Sequence, residues 1–250
     1  MQIDDPHSYY SSYLRRKPSE RNSRRIYRWH EKLLCQLILD RWQEPPLSVL
    51  EVGPGHGYFA DACRTREIRY CFEDTSSAVT ERMIAKGFEG RCVSLDQPED
   101  AESRSFDIIW VSHVLEHSTS WTDARQMVAT LSRKLNDSGE LIIVGPDYLD
   151  WKHHFWNVDF SHGFPTTLRN VAQLLDDVGL TVVLARHHRG GSFSLLTRAL
   201  FALLASMPHQ AIDRVITPQR SKLGDGLTIS WKAVFGWRQI AVIARRVNNH

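Results

Sequence analysis

Val49-Leu50-Glu51-Val52-Gly53-Pro54-Gly55-His56-Gly57 is the stretch that decides how this chain folds. An apolar strand runs into a turn with Gly at every second position, and a helical segment begins at Tyr58. Gly has no Cβ, so it takes positive φ readily and lets a ligand approach the backbone closely. The amides that open the next helix then point outward as donors toward a carboxylate or another polar group. Glu51, two positions before the first Gly, would repel a phosphate. It suits a ligand that carries an ammonium group, such as an amino acid.

Outward from this turn, strand and helix patterns alternate. Residues 47–52 read as the first strand, 58–66 as a helix, 68–72 as the second strand and 76–86 as a helix closed by Gly87. Residues 92–95 form a short third strand. Residues 106–112 are a continuous apolar run, the pattern of a central parallel strand buried on both faces. A helix over 121–135 carries Ala124, Met127, Val128, Leu131 and Leu135 on one face, and Gly139 turns into a strand over 141–144. Residues 166–178 read as helix, 180–185 as strand and 237–247 as the last strand. Upstream, Ile26, Trp29, Leu33, Leu37 and Ile38 recur at helical spacing from Ser23 to about Trp42, before Pro45-Pro46 stops the helix. The pattern predicts an α/β fold with a doubly wound, seven-stranded, mostly parallel sheet and helices on both faces. Residues 1–46 form an N-terminal helical extension. Residues 47–250 form the main domain, with an apolar insertion at about 190–236.

At 250 residues, 42% hydrophobic and 24% charged, the chain suits one soluble domain with appendages. The net charge of +2 gives no global argument for nucleic acid. Arg15, Arg16, Lys17, Arg21, Arg24, Arg25 and Arg28 face the single acid Glu20. That run reads as a solvated face, with contact to anionic lipid, polyphosphate or RNA as the alternative. Cys35, Cys63, Cys71 and Cys92 form no C-x-x-C pair and read as buried thiols in a reducing compartment. The polar N-terminus carries no signal peptide and no apolar stretch reaches the 18 residues of a membrane span, so a cytoplasmic location is expected.

The spacing E-x-G-x-G-x-G after a strand resembles motif I of class I S-adenosylmethionine-dependent methyltransferases. Ser105-Phe106-Asp107, followed by Leu115-Glu116-His117, is similar to a signature of small-molecule methyltransferases related to the ubiquinone-biosynthesis O-methyltransferases. Together the two motifs span about residues 47–144. The resemblance implies a Rossmann-like methyltransferase fold whose last strand returns antiparallel beside the sixth. It also implies S-adenosyl-L-methionine as cofactor.

Ligands of open parallel sheets sit beyond the carboxyl ends of the strands, where strand order switches. Gly53, Gly55 and Gly57 follow the first strand, and Glu51 suits the cofactor's ammonium group. After the second strand a carboxylate is needed for two ribose hydroxyls. The family pattern D-x-S favours Asp74, with Glu73 as runner-up. After the third strand, the resemblance places Asp96 at the adenine amino group and Leu95 beside the ring. Ser112 and His113 fall where the methionine moiety and reacting methyl belong, whereas Asp107, at the other end of that strand, is expected to be structural.

His113, Glu116 and His117, at i, i+3 and i+4, share a face if the turn is α-helical. The resembled enzymes carry E-x-x-E-H there and can hold a metal. Here His113 replaces the first Glu, and the reading is no metal, with a structural Glu116–His117 pair. Beyond the fifth strand, Asp159, His162, Pro165 and Thr167 resemble a D-x-x-H-x-x-P-x-T segment that caps methyltransferase active sites. Asp159 is expected to orient His162 as a base for a hydroxyl, or merely to shape the loop while Thr166 caps the next helix. His187-His188 also ends a strand on the ligand side and reads as incidental.

Ser112-His113-Val114-Leu115 departs from the N-P-P-Y motif of amino-methylating enzymes. The function expected is therefore O-methylation of a small molecule, a glycan or a lipid-linked intermediate. An RNA methyltransferase using residues 15–28 and a non-catalytic cofactor-binding subunit are the alternatives. Leu195, Leu196, Ala199, Leu200, Leu203 and Leu204 form an apolar stripe that packs on the sheet, on a second copy in a homodimer, or on a membrane surface.

Overall fold

A computed structural model describes residues 19–42, 48–93, 106–152, 154–189 and 238–246. Its strands are β1 (Val49–Val52), β2 (Tyr70–Asp74), β3 (Glu89–Cys92), β4 (Phe106–Ser112), β5 (Leu135–Pro146), β6 (Leu180–Arg189) and β7 (Arg238–Arg246). They form one sheet in the order β3-β2-β1-β4-β5-β7-β6. Neighbours from β3 to β5 are parallel, and β7 runs antiparallel to both β5 and β6. Chain order reverses between β1 and β4, which opens a crevice beyond their carboxyl ends.

The described helices are α1 (Glu20–Leu34), α2 (Tyr58–Thr65), α3 (Ser77–Ala85), α4 (Trp121–Arg133), α5 (Tyr148–Trp151), α6 (His154–Val158) and α7 (Leu168–Asp177). On one face, Met127 and Leu131 of α4 and Val171 and Leu175 of α7 cover Leu50, Ile109, Ile143 and Val242. On the other, Leu33 and Leu34 of α1 and Phe59 and Cys63 of α2 cover Val49, Ile108, Trp110 and Ile243. Two covered faces explain why β4 is apolar without alternation. Asp107, at its start, accepts from the Ser48 amide at 2.8 Å and from Asn136, which is the structural role expected.

Several boundaries differ from the sequence pattern for local reasons. The first helix does not continue to Trp42. A π turn over Cys35–Leu39 follows α1 and keeps Leu37 and Ile38 fully buried. The chain then turns so that Arg41 donates to Glu140 at 2.7 Å and Trp42 at 3.3 Å. The third strand lies at Glu89–Cys92, upstream of the expected 92–95; as a mostly exposed edge strand it carries no apolar pattern. The fifth begins at Leu135, whose pairing with Phe106 precedes a register shift, so Gly139 lies inside the strand. Thr167, not Thr166, caps α7 in a capping box with Asn170. Thr166 instead donates to the Pro146 carbonyl at 2.6 Å. Of the cysteines, Cys63 is buried but Cys92 is exposed. The expected insertion at 190–236 lies outside the described residues. Among the described residues no helix is long and apolar enough to cross a membrane.

Glu140 is fully buried and also accepts from Arg245 Nε at 2.7 Å, so one carboxylate ties the end of the α1 segment to β5 and β7. Glu140→Gln keeps the shape but loses the charge. Urea denaturation should show a loss of about 2 kcal/mol with an unchanged m-value.

Candidate active site

The glycine turn lies beyond β1 as the sequence required. Gly53, Gly55 and Gly57 all have positive φ. A Cβ on Gly53 would come within 2.5 Å of Val114 Cγ2, so the turn is closed from the β4 side. Gly57 caps α2 without a side chain of its own, and Lys86 Nζ holds the turn by donating to the His56 carbonyl at 3.1 Å. Glu51 lies below the turn, 2% exposed, with its carboxyl accepting from the Tyr70 hydroxyl. Burial, opposed by that hydrogen bond and assisted by Asp74, pushes its pKa up to about 8.

At the end of β2 the two acids separate. Glu73 is taken by Arg91 at 2.9 Å and Lys134 at 2.5 Å. Asp74 closes an Asx turn onto the Ser76 amide at 2.8 Å, and Ser76 caps α3. Leu95 and Asp96 lie outside the described residues.

The end of β4 carries the densest chemistry. Among the described residues the buried Ser112 hydroxyl has no hydrogen-bond partner, and His113 follows at φ +56°, a conformation L residues seldom adopt. Leu115–His117 is a 3-10 turn, so His113, Glu116 and His117 do not converge on one face. His113 Nδ1 meets Glu116 Oε1 at 3.0 Å, which replaces the expected Glu116–His117 pair. Burial alone would lower the His113 pKa, but the hydrogen bond and charge of Glu116 outweigh it and raise the value. His117 turns to Ser161, Nδ1 to Oγ 2.8 Å.

Asp159 and His162 are brought into one loop, but Asp159 does not orient the imidazole of His162 as expected. Its Oδ1 accepts from Ser161 N at 2.9 Å and Ser161 Oγ at 2.6 Å. His162 Nδ1 donates to the Phe155 carbonyl at 2.6 Å, and burial lowers its pKa. Gly163 N and Phe164 N both donate to the Glu116 carbonyl, at 2.8 and 3.1 Å, which stitches this loop to the 3-10 turn. A Cβ on Gly163 would lie 2.4 Å from the Ser118 carbonyl oxygen, so only Gly permits that approach.

Around Ser112 lie His188, which the sequence read as incidental, and Gln239, Trp29 and His30, which it did not single out as a site. Ser112 of β4, His188 of β6 and Gln239 of β7 share the sheet face covered by α1, and His188 pairs in register with Gln239. Trp29 stacks with His188 at 6.0 Å and lies 6.1 Å from His113, while His30 lies against Trp29 and Tyr58. Among the described residues the buried Trp29 Nε1, His30 Nδ1 and His188 Nε2 have no hydrogen-bond partner, whereas the Gln239 side chain bonds His113 and helps to raise its pKa. Burial, reinforced by His113, brings His30 to about 3 and His188 to about 4, so both are neutral near pH 7. The sequence signal for the α1 part of this group was Trp29 on the same apolar stripe as Leu33 and Leu37. It read as core.

The sheet order, the antiparallel β7 and the glycine turn at the switch point define a class of α/β transferase folds. Residues 22–185 match the methyltransferase domain family, and the chain belongs to it. No curated protein matches the sequence. The fold is shared with a SAM-dependent methyltransferase from Archaeoglobus fulgidus (17% identity, 97% of this chain and 100% of that one, TM-score 0.62). It is also shared with the N-methyltransferase NodS from Bradyrhizobium japonicum in complex with S-adenosyl-L-homocysteine (15%, 97% and 99%, 0.63). A Haloferax volcanii complex of the Trm112 activator with a methyltransferase is similar as well (14%, 98% and 99%, 0.67).

The Glu51 environment gives a stability test. The unfolded carboxyl loses its proton in the ordinary carboxylate range, while the folded one keeps it up to about 8. The folded state therefore binds the extra proton in that window, and wild-type stability falls as pH rises across it. Glu51→Gln lacks this dependence, so its advantage in thermal melting over wild type should grow from pH 5 to pH 8.

Proposed function

We propose that this methyltransferase uses S-adenosyl-L-methionine to methylate a hydroxyl of a small, uncharged acceptor such as a glycan or a lipid-linked intermediate. The observation that carries this reading is the row of buried polar side chains at the ends of β4, β6 and β7 (Ser112, His188 and Gln239), roofed by Trp29 and His30 and bordered by the His113–Glu116 pair.

The residues present fit the cofactor. Gly53, Gly55 and Gly57 turn the backbone at positive φ beyond β1, and Asp74 stands at the strand end where ribose hydroxyls need an acceptor. Gly53, Gly55 and Gly57 would hold the methionine part with Glu51 beneath them, Asp74 the ribose, and Leu95 and Asp96 the adenine. When bound, the sulfonium supplies an electrophilic methyl and its own leaving group. The protein's work is then in-line positioning and proton removal.

His113 is suited to the proton. Its Nδ1 bonds Glu116 Oε1, and the buried carboxylate, with Gln239, stabilises the imidazolium that forms when the ring takes the proton. A neutral pocket suits a neutral acceptor. His30 and His188 stay uncharged, Trp29 Nε1 donates, Gln239 Oε1 accepts, and the Trp29 ring offers a flat apolar wall.

Calorimetry and turnover with hydroxylated acceptors test this. Asp74→Ala should weaken S-adenosyl-L-methionine binding about 10-fold or more. His113→Ala should leave that binding intact and lower kcat by about 10²- to 10⁴-fold. A folded wild-type protein that does not bind the cofactor would overturn the reading.

A further inference from the structure

We propose that the ammonium group of the cofactor displaces the proton of Glu51, so that cofactor binding releases one proton, and that Tyr70 positions the carboxylate this leaves. The inference rests on the reading that the methionine part lies on the glycine turn above Glu51.

Glu51 is 2% exposed. Among the described residues its carboxyl has one hydrogen-bond partner, the Tyr70 hydroxyl, at 2.5 Å. Glu51 pairs in register with Phe72, and Tyr70, two residues earlier on β2, shares its face and reaches it diagonally. Burial and the nearby Glu51 hold the Tyr70 pKa well above its ordinary value, so Tyr70 stays a phenol able to donate.

The charges around Glu51 do not supply a counter-ion. Asp74 of β2 and Asp61 of α2 disfavour a carboxylate, and Lys86, just after α3, favours one. The Lys86 ammonium is already committed to the His56 carbonyl at 3.1 Å and to Asp61 at 3.0 Å. Cys63 of α2 faces Glu51 as a thiol whose pKa is pushed up by burial and by Glu51. A lone carboxylate is costly in such a place, so the ligand-free protein keeps the proton to about 8.

A ligand that carries its own positive charge changes the balance. When the ammonium arrives, the O–H bond of the Glu51 carboxyl breaks, the electron pair stays on oxygen and the proton leaves to solvent. An ion pair then replaces a neutral acid, and no covalent bond forms to the ligand. The carboxylate keeps the Tyr70 hydroxyl on Oε2, which stabilises the charge and orients it toward the turn. Binding therefore favours the form without the proton, and affinity rises with pH until the ligand-free carboxyl has itself ionised.

Calorimetry with S-adenosyl-L-homocysteine at pH 6.5, in two buffers of different ionisation enthalpy, counts the protons released. The free ligand's amine is fully protonated there, its pKa being about 7.7–8.0. Wild type should release close to one proton, and its affinity should rise about 10-fold from pH 6 to pH 7. 5′-Methylthioadenosine, which lacks the amino-acid part, should release none. Tyr70→Phe should bind about 10-fold more weakly at pH 6.5, with the pH at which affinity levels off moved upward; a purely packing role would leave that pH unchanged. Infrared difference spectra of the ligand-free protein should show a protonated carboxyl in wild type that Glu51→Gln lacks and that S-adenosyl-L-homocysteine removes. Tight binding without proton release, or release that persists in Glu51→Gln, would overturn the inference while leaving the cofactor site intact. Failure to bind the cofactor at all would overturn the reading of the site with it.

Discussion

Glu116 is a carboxylate with no access to water, and the region beyond the carboxyl end of β4 is organised around that fact. A dry acid is costly unless most of its polar atoms find partners. Its backbone carbonyl takes the Gly163 and Phe164 amides, so the loop beyond α6 is fixed against the end of β4. One carboxylate oxygen holds His113 in its left-handed conformation, and the other faces the edge of β5 at Gly145, which has no side chain to crowd it. Strain at His113, burial at Glu116 and the glycine at 163 are thus one arrangement.

The fold was legible because its determinants are local. The glycine turn reads directly from residue type, and the apolar run of β4 matches the observed strand residue for residue. Elements whose limits are set by tertiary pairing were misplaced. β3 is an exposed edge with nothing apolar to mark it. The first turn of β5 is polar and becomes strand only through its pairing with Phe106. The π turn after α1 reflects the need to bury Leu37 and Ile38 while aiming Arg41 at an acid nearly a hundred residues away.

The sequence brought several of the candidate residues to the end of β4 but not their pairings. Spacing placed His113, Glu116 and His117 on one α-helical face, but a 3-10 turn entered from a positive φ divides them. Asp159 and His162 were read as a pair because they are close in sequence. Ser161 lies between Asp159 and an imidazole from another segment. Trp29, His30 and Gln239 gave no chemical signal, since only packing of α1 and β7 against the carboxyl ends of the sheet makes them neighbours of His113.

The position of β7 also sets an order of assembly. Residues 238–246 enter between β5 and β6, so these two strands have unpaired inner edges until the last described strand has been synthesised. The glycine turn, β4 and the loop at residues 159–164 emerge from the ribosome earlier and can pack while the sheet is still split. Arg238, whose backbone carbonyl receives the Trp151 indole, and Gln239 arrive only with that final strand. A nascent chain thus gains the glycine turn before Gln239 joins His188, and its open strand edges make the interval between the two its most aggregation-prone stage.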